Sequence, residues 1–244
     1  MMNRTPAGIA LIILAEAPIA GQVKLSLCPP LTHDEAATLH GSFVLDTLER
    51  TKAAMDKWKL AFDRYLACAP SSQHVFFKIM EERHRLRLID QLGADPGARM
   101  RETCRATFDR GHTRLVLVGT DVPTLPLEHY RQTAILLEEH DLVLGPERDG
   151  GYYLLGLAKR VDGLFDDIPW STDRVFRLTR ERAESLGLRV ACLPEWRDVD
   201  SLDDLTALIE AGARDASLPK AERQFSARTA GTLQLLAKRI RSRA

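Results

Sequence analysis

Four acidic residues stand where chemistry could be built. Asp121 follows the apolar run Leu115–Val118 in the segment Gly119-Thr120-Asp121-Val122-Pro123. Asp149 follows Leu142–Leu144 in Gly145-Pro146-Glu147-Arg148-Asp149-Gly150-Gly151, and Asp198 and Asp200 lie in Trp196-Arg197-Asp198-Val199-Asp200. A carboxylate leaving a buried strand sits where open α/β sheets collect their ligands. Oxygen ligands are what Mg²⁺ and Mn²⁺ prefer, and paired glycines let a backbone approach a ligand closely. Asp121 with the Gly150-Gly151 turn therefore reads as a site for a divalent cation and a phosphate. The alternative makes Asp121 the cap of the following helix, with Pro126 in its first turn, and the glycines an ordinary hairpin. If residues 198–200 are extended, Asp198 and Asp200 point to opposite faces, so only one of them faces a metal directly.

The elements that must position these residues are legible from pattern. Ile9–Leu14 is wholly apolar and predicts a central first strand. It delivers Ala17-Pro18-Ile19-Ala20-Gly21-Gln22-Val23-Lys24 to the same sheet edge. Pro stiffens that loop, Gly exposes its N–H groups and Lys24 ends it, so it is a candidate phosphate cradle or a plain strand-to-helix connection. Thr32-His33-Asp34-Glu35 has the form of a capping box and predicts a long helix to about Met55, on which His33 and His40 read as surface or packing residues. Strands are expected at Tyr65–Ala69, Leu86–Ile89, Leu115–Val118, Leu142–Leu144, Tyr152–Leu157 and Leu188–Leu193, with a short helix over Gln73–Met80. Asp95 is placed to cap a helix running to about Arg110, in which Arg99 either reaches a phosphate or pairs with an acidic neighbour. Ile168–Asp173 predicts a loop ending in a helix cap, where Trp170 stacks on a ring or fills the core. Ser201 predicts another cap, with Asp204 at the third helical position.

Composition bounds the rest. The 244 residues carry 34 Lys and Arg against 34 Asp and Glu, so no global field draws the chain to nucleic acid or anionic membrane. Cys28, Cys68, Cys104 and Cys192 form no Cys-x-x-Cys pair, which points away from a zinc ribbon or redox dithiol and toward reduced thiols in the cytoplasm. Ile9–Leu14 is too short to span a bilayer. One domain is expected over residues 1–215. Residues 216–244 are expected to form a basic amphipathic helix docked on it, with Phe225, Leu233, Leu236 and Ile240 at helical spacing. The sequence leaves monomer and homodimer both open.

Several segments together resemble one family. Ala17-Pro18, Gly21, Lys24, Gly97, Arg99, Met100, Gly119-Thr120-Asp121 with Pro123, Gly145-Pro146, Asp149-Gly150-Gly151-Tyr152-Tyr153, Trp170-Ser171-Thr172 and Asp198-Val199-Asp200 are similar, in this order, to bacterial arsenosugar-biosynthesis glycosyltransferases. These are related in turn to the phospholactate and molybdenum-cofactor guanylyltransferases. The resemblance runs from about Ile9 to Leu205. It implies an α/β nucleotide-diphospho-sugar transferase (GT-A) fold, a mixed, mainly parallel sheet flanked by helices. Asp121 and Asp200 would hold Mg²⁺ or Mn²⁺ at the donor phosphates, and Pro18, Gly21, Lys24, Arg99 and Thr120 would border the nucleotide. Gly150, Gly151, Tyr152, Trp170, Ser171 and Thr172 would line the acceptor or sugar side, and Asp149 is the candidate base.

The first loop departs from that pattern. Members carry Lys-Ala-Pro and then Lys-Thr-Arg-Leu, where this chain has Glu16-Ala17-Pro18 and Lys24-Leu25-Ser26-Leu27. Position 96 is Pro where Leu is usual. A charge-assisted hydrogen bond is worth roughly 1.5 to 3 kcal/mol, so loss of the Arg alone weakens phosphate binding by about tenfold to a hundredfold. Triphosphate capture suffers most. The expectation is therefore sugar transfer from a nucleotide-diphosphate donor to a small acceptor. One alternative is nucleotidyl transfer from GTP or CTP with pyrophosphate release; the other is a binding protein that keeps the fold without catalysis.

Overall fold

The computed structural model describes residues 8–219 and 225–241. Its centre is strand β1 (Ile9–Glu16), whose side chains are buried on both faces of the sheet. Leu11, Ile13 and Ala15 enter one core, and Ala10 and Ile12 the other, as the two-residue period of a strand covered on both sides requires. Beside β1 lie β2 (Phe62–Ala69), β3 (Arg87–Asp90), β4 (Arg114–Val118), β5 (Leu142–Pro146), β6 (Tyr152–Leu157) and β7 (Val190–Cys192). Their order is β3-β2-β1-β4-β6-β5-β7, and β6 runs antiparallel to β4 and β5 while the other pairs are parallel. This is the mixed α/β sheet of a GT-A-like nucleotide-diphospho-sugar transferase fold.

Helices α1 (His33–Trp58), α2 (Val75–His84) and α4 (Leu127–Leu136) contribute to the first core, and α3 (Pro96–Phe108) and α5 (Val175–Ser185) to the second. The expected caps of α1 and α3 form. Thr32 and Glu35 close a capping box, and Asp95 Oδ1 accepts from Ala98 N at 2.8 Å. By contrast, Pro126 caps α4 without a side-chain bond, so Asp121 is not a helix cap. Helix α5 likewise begins at Arg174 with no side-chain cap; Thr172 instead closes its own loop, donating to the Pro169 carbonyl at 2.7 Å.

A third core positions the chemistry. Leu27, Leu31, Leu39 and Phe43 meet Val199, Leu205 and Leu208, then Leu233 and Leu236 of the last helix. Helix α6 (Leu202–Ala216) starts at a capping box made by Ser201 and Asp204, and α7 (Ala227–Arg241) packs on α1 and α6. Residues 220–224 and 242–244 of the expected tail helix lie outside the described residues. Because Leu27 and Val199 share this core, it anchors both the end of the first loop and the segment carrying Asp198 and Asp200.

Candidate active site

The strand order reverses direction between β1 and β4, and there the C-terminal strand edge opens a crevice. The loop after β1, residues 17–24, turns back at Gly21 and ends at Lys24, which adopts a left-handed conformation ahead of a short 3₁₀ turn, Leu25–Leu27. The segment 196–200 crosses the same edge. Trp196 N donates to Pro146 O at 3.0 Å and Val199 N to Asp121 O at 3.0 Å, which ties the ends of β5 and β4 together.

These ties bring Lys24 to Asp121 and Asp200. Its ammonium lies 2.8 Å from Asp121 Oδ1, bonds Asp200 Oδ1, and donates to Val199 O at 2.8 Å. Two of its N–H groups are thus hydrogen-bonded to Asp200 and Val199, and the charge is also paired with Asp121. Burial alone would lower the Lys24 pKa, but the Asp121 and Asp200 charges outweigh it and hold the ammonium above its ordinary value. The Lys24 side chain is 5% exposed, whereas those of Asp121 and Asp200 are 38% and 55% exposed, so the pair is open to solvent from the carboxylate side.

A second carboxylate group adjoins the first. One ligand atom each from Glu147, Asp149 and Asp198 lies within 4.8 Å of the others, and this small acidic cluster can coordinate a divalent metal. Among the described residues no ion pair neutralises these three. Glu147 is pushed up to about 9, first by burial and then by the charges of Asp198, Asp149, Asp121 and Asp200. Asp198 rises to about 7, again through burial first, with Asp149 and Asp200 adding to it. Protons thus take the place that a cation would fill.

Asp198 and Asp200 point opposite ways, as the alternation of an extended segment predicts, and each meets a different part of the acidic edge. Asp198 turns inward and is buried, and Asp200 turns outward to Lys24. Glu147 is the residue sequence reasoning passed over. Its position two residues before Asp149 in the same turn was the available signal. His40 was assigned to packing and is indeed buried, yet its Nδ1 faces Asp121 Oδ1 at 4.0 Å.

Of the other sequence-derived candidates, Gly151 lies against the acidic cluster, where a Cβ would stand 2.6 Å from Glu147 Oε2, and the rest surround this edge. Asp149 Oδ1 accepts from Gly151 N at 2.9 Å within the β5–β6 turn. Gly150 has φ of 92°, and a Cβ there would stand 2.0 Å from the Asp173 carbonyl oxygen, so only glycine lets the two loops close. Pro18 rests on Gly41 of α1, and Thr120 is buried. Arg99 sits 3.8 Å from Glu16, taking the acidic-neighbour alternative. Trp170 packs over Gly97, where a Cβ would meet its Nε1 at 2.2 Å, so it covers the first turn of α3. Ser171 is left-handed, and the Tyr152 hydroxyl points to Met100 Sδ at 3.6 Å, away from the carboxylates. Under the first loop, Glu16, Ala17, Gln22, Val23, Ala69, Pro70 and Arg99 line a small cleft of about 160 Å³.

All four cysteines are free, and among the described residues no helix is long and apolar enough to cross a membrane. Residues 53–172 match the family described as "Uncharacterized protein conserved in bacteria (DUF2064)". No curated protein matches the chain. Among solved structures, one from Desulfovibrio desulfuricans G20, named for the nucleotide-diphospho-sugar transferases, matches with a TM-score of 0.82. The identity is 28% over 97% of this chain and 98% of that one. A cytidylyltransferase from Leptospira borgpetersenii serovar Hardjo-bovis (strain JB197) matches with a TM-score of 0.55 at 12% identity, covering 95% and 94% of the two chains. A CMP:2-keto-3-deoxy-manno-octonic acid synthetase complexed with CTP gives 0.54 at 10% identity, over 85% and 99%. These two likenesses concern the fold alone. The chain thus has a GT-A-like fold and is similar, at 28% identity, to a protein named for the nucleotide-diphospho-sugar transferases.

Proposed function

We propose that the chain is a metal-dependent transferase that moves a sugar from a nucleotide-diphosphate donor to a small-molecule acceptor. The observation that carries this reading is the convergence of Asp121, Glu147, Asp149, Asp198 and Asp200 on one sheet edge, beside the cleft under the first loop. Asp121 and Asp200 already share a cation, the Lys24 ammonium, so a metal fits their donor set. Held there, Mg²⁺ or Mn²⁺ would neutralise the donor phosphates as negative charge grows on the leaving nucleoside diphosphate. Pro18, Gly21, Lys24, Arg99 and Thr120 border the nucleotide. Gly150 and Gly151, with Tyr152, Trp170, Ser171 and Thr172 behind them, wall the acceptor side, and Asp149 takes the proton of the acceptor hydroxyl.

Sugar transfer suits the first loop better than nucleotidyl transfer. Lys24 is committed to carboxylates and Arg99 faces Glu16, so both cations of this rim are engaged, and a triphosphate, with more negative charge than a nucleotide-diphosphate sugar, would be the less well neutralised of the two donors. The resemblance of the motifs from Ala17 to Asp200 to the arsenosugar-biosynthesis glycosyltransferases supports this reading. We take residues 1–215 as one cytoplasmic transferase domain with the tail docked on it.

The test is the melting temperature of the purified chain with UDP-, GDP-, CDP- and dTDP-sugars, GTP and CTP, each with and without Mn²⁺. A ligand that binds only the folded state must raise it. A metal-dependent rise with one nucleotide sugar is expected. A preference for a triphosphate, with pyrophosphate released, would make the chain a nucleotidyltransferase, and no response to any nucleotide would leave a binding protein.

A further inference from the structure

His40 and Lys24 together say more about the cation seat at Asp121 and Asp200. His40 is 4% exposed, on α1 beneath the end of β1. Its Nε2 lies 3.0 Å from the Glu16 carbonyl oxygen, which can only accept, so Nε2 carries the hydrogen. Nδ1 faces Asp121 Oδ1, 4.0 Å away, and in the tautomer with its hydrogen on Nε2 it turns a lone pair there; among the described residues both atoms are buried without a hydrogen-bond partner. Two lone-pair atoms facing each other across that gap repel, unless a cation lies between them. Metal–nitrogen and metal–oxygen bonds of about 2.0 to 2.2 Å span such a gap without moving either side chain. A backbone carbonyl fixing the far ring nitrogen is also how ligating histidines are oriented.

We propose that Lys24 is a displaceable occupant of this seat, and that a divalent cation binding Asp121 and Asp200 recruits His40 Nδ1 as a ligand and expels the Lys24 ammonium. The inference rests on the proposed metal role of Asp121 and Asp200. The ammonium lies 2.8 Å from the oxygen that the ion would take, and two cations cannot share it at that range. The surrounding carboxylates favour a double charge over a single one. The same exchange frees the Lys24 N–H groups for phosphate oxygens, so that metal loading switches the first loop from closed on itself to competent for a donor. An imidazole nitrogen beside two carboxylates further favours Mn²⁺ or another first-row transition ion over Mg²⁺.

The probe is Mn²⁺ alone, with free ion followed by electron paramagnetic resonance in the full chain without nucleotide. Lys24→Met is expected to bind Mn²⁺ at least about tenfold more tightly than the unaltered chain, because the competitor is gone, and Lys24→Arg, which keeps the charge, is not. His40→Gln is expected to bind at least about tenfold more weakly and to lose part of its preference for Mn²⁺ over Mg²⁺. Should Lys24→Met melt too low to study, Lys24→Gln, which also removes the charge, takes its place with the same expected result. Unchanged or weaker binding in Lys24→Met overturns the exchange, and unchanged binding in His40→Gln overturns the ligand. Loss of Mn²⁺ binding in Glu147→Gln, with no change in Lys24→Met, would place the ion in the neighbouring cluster and overturn both. None of these readouts uses a nucleotide, so the transferase reading stands or falls separately, in the melting panel.

Discussion

Asp121 and Asp200 are paired with an ammonium that the chain brings from the first loop, whereas Glu147, Asp149 and Asp198, along the same edge, have no cation of their own among the described residues. The first group binds a lysine; in the second, burial and crowding push Glu147 up to about 9 and Asp198 up to about 7, so these two hold protons. The difference traces to what each group is built on. Leu27 and Val199 lock Lys24 and Asp200 into the third core, so a buried ammonium can be held in register with two carboxylates. The β5–β6 turn and the passing segment 196–198 bring three acidic side chains together, while the basic residues next to them in the chain turn elsewhere, Arg148 to Glu195 and Arg197 to Asp204. An acidic edge assembled this way demands a cation, and only half of it is supplied from within.

The comparison can be broken at the frame, at the lysine pair or at the protonated cluster. Leu233→Ala removes a side chain that is 2% exposed in the third core, and large-to-small changes of this kind cost about 2 to 5 kcal/mol. Chemical denaturation should show that loss, and limited proteolysis should find the first loop opened while the β5–β6 turn keeps its resistance. Asp121→Ala attacks the lysine pair itself. Turnover and the Mn²⁺-dependent rise in melting temperature should both fall, turnover by about a hundredfold or more; full activity in this variant would remove Asp121 from the site.

Glu147→Gln separates the two halves by pH. The folded Glu147 holds its proton up to about 9 while the unfolded side chain releases it near 4.5, so between those values the native state binds more protons and stability falls as pH rises. Asp198 adds a similar decline between 3.8 and about 7. Denaturant titrations of the metal-free chain from pH 5 to 9 should show this decline, and Glu147→Gln should flatten its upper part. A variant as steep as the parent would mean that Glu147 is not the group involved. The smallest effect is expected from Ser201→Ala, which deletes the cap of α6 just after Asp200 and should cost about 1 kcal/mol, read as a modest drop in melting temperature.

What the sequence made legible was local. The apolar run before Asp121, the boxes Thr32/Glu35 and Ser201/Asp204, and the strand Tyr152–Leu157 are each written in a few neighbouring residues, and they form as expected. The charge balance of the site was not legible in this way. Lys24 meets Asp200 across 176 positions, and that contact exists only because the third core folds the two segments together. A basic residue at the end of a Gly-containing loop looks the same whether it awaits a phosphate or is closed on two carboxylates. Likewise, His40 has the spacing of a packing residue on α1, and only the placement of Glu16 and Asp121 gives its two nitrogens different surroundings. Alternation sends Asp198 and Asp200 to opposite faces, but it does not say that another loop brings Glu147 and Asp149 to meet Asp198.

The most direct test is a carboxyl ¹³C NMR titration of the metal-free chain with labelled glutamate, compared with Glu147→Gln. One resonance titrating near pH 9 and missing from the variant is the predicted result, and it would establish this edge as a cluster that holds protons in place of a cation. If every glutamate titrates in the ordinary carboxylate range, the cluster is not crowded in the way described, and the argument that this edge demands a metal fails with it.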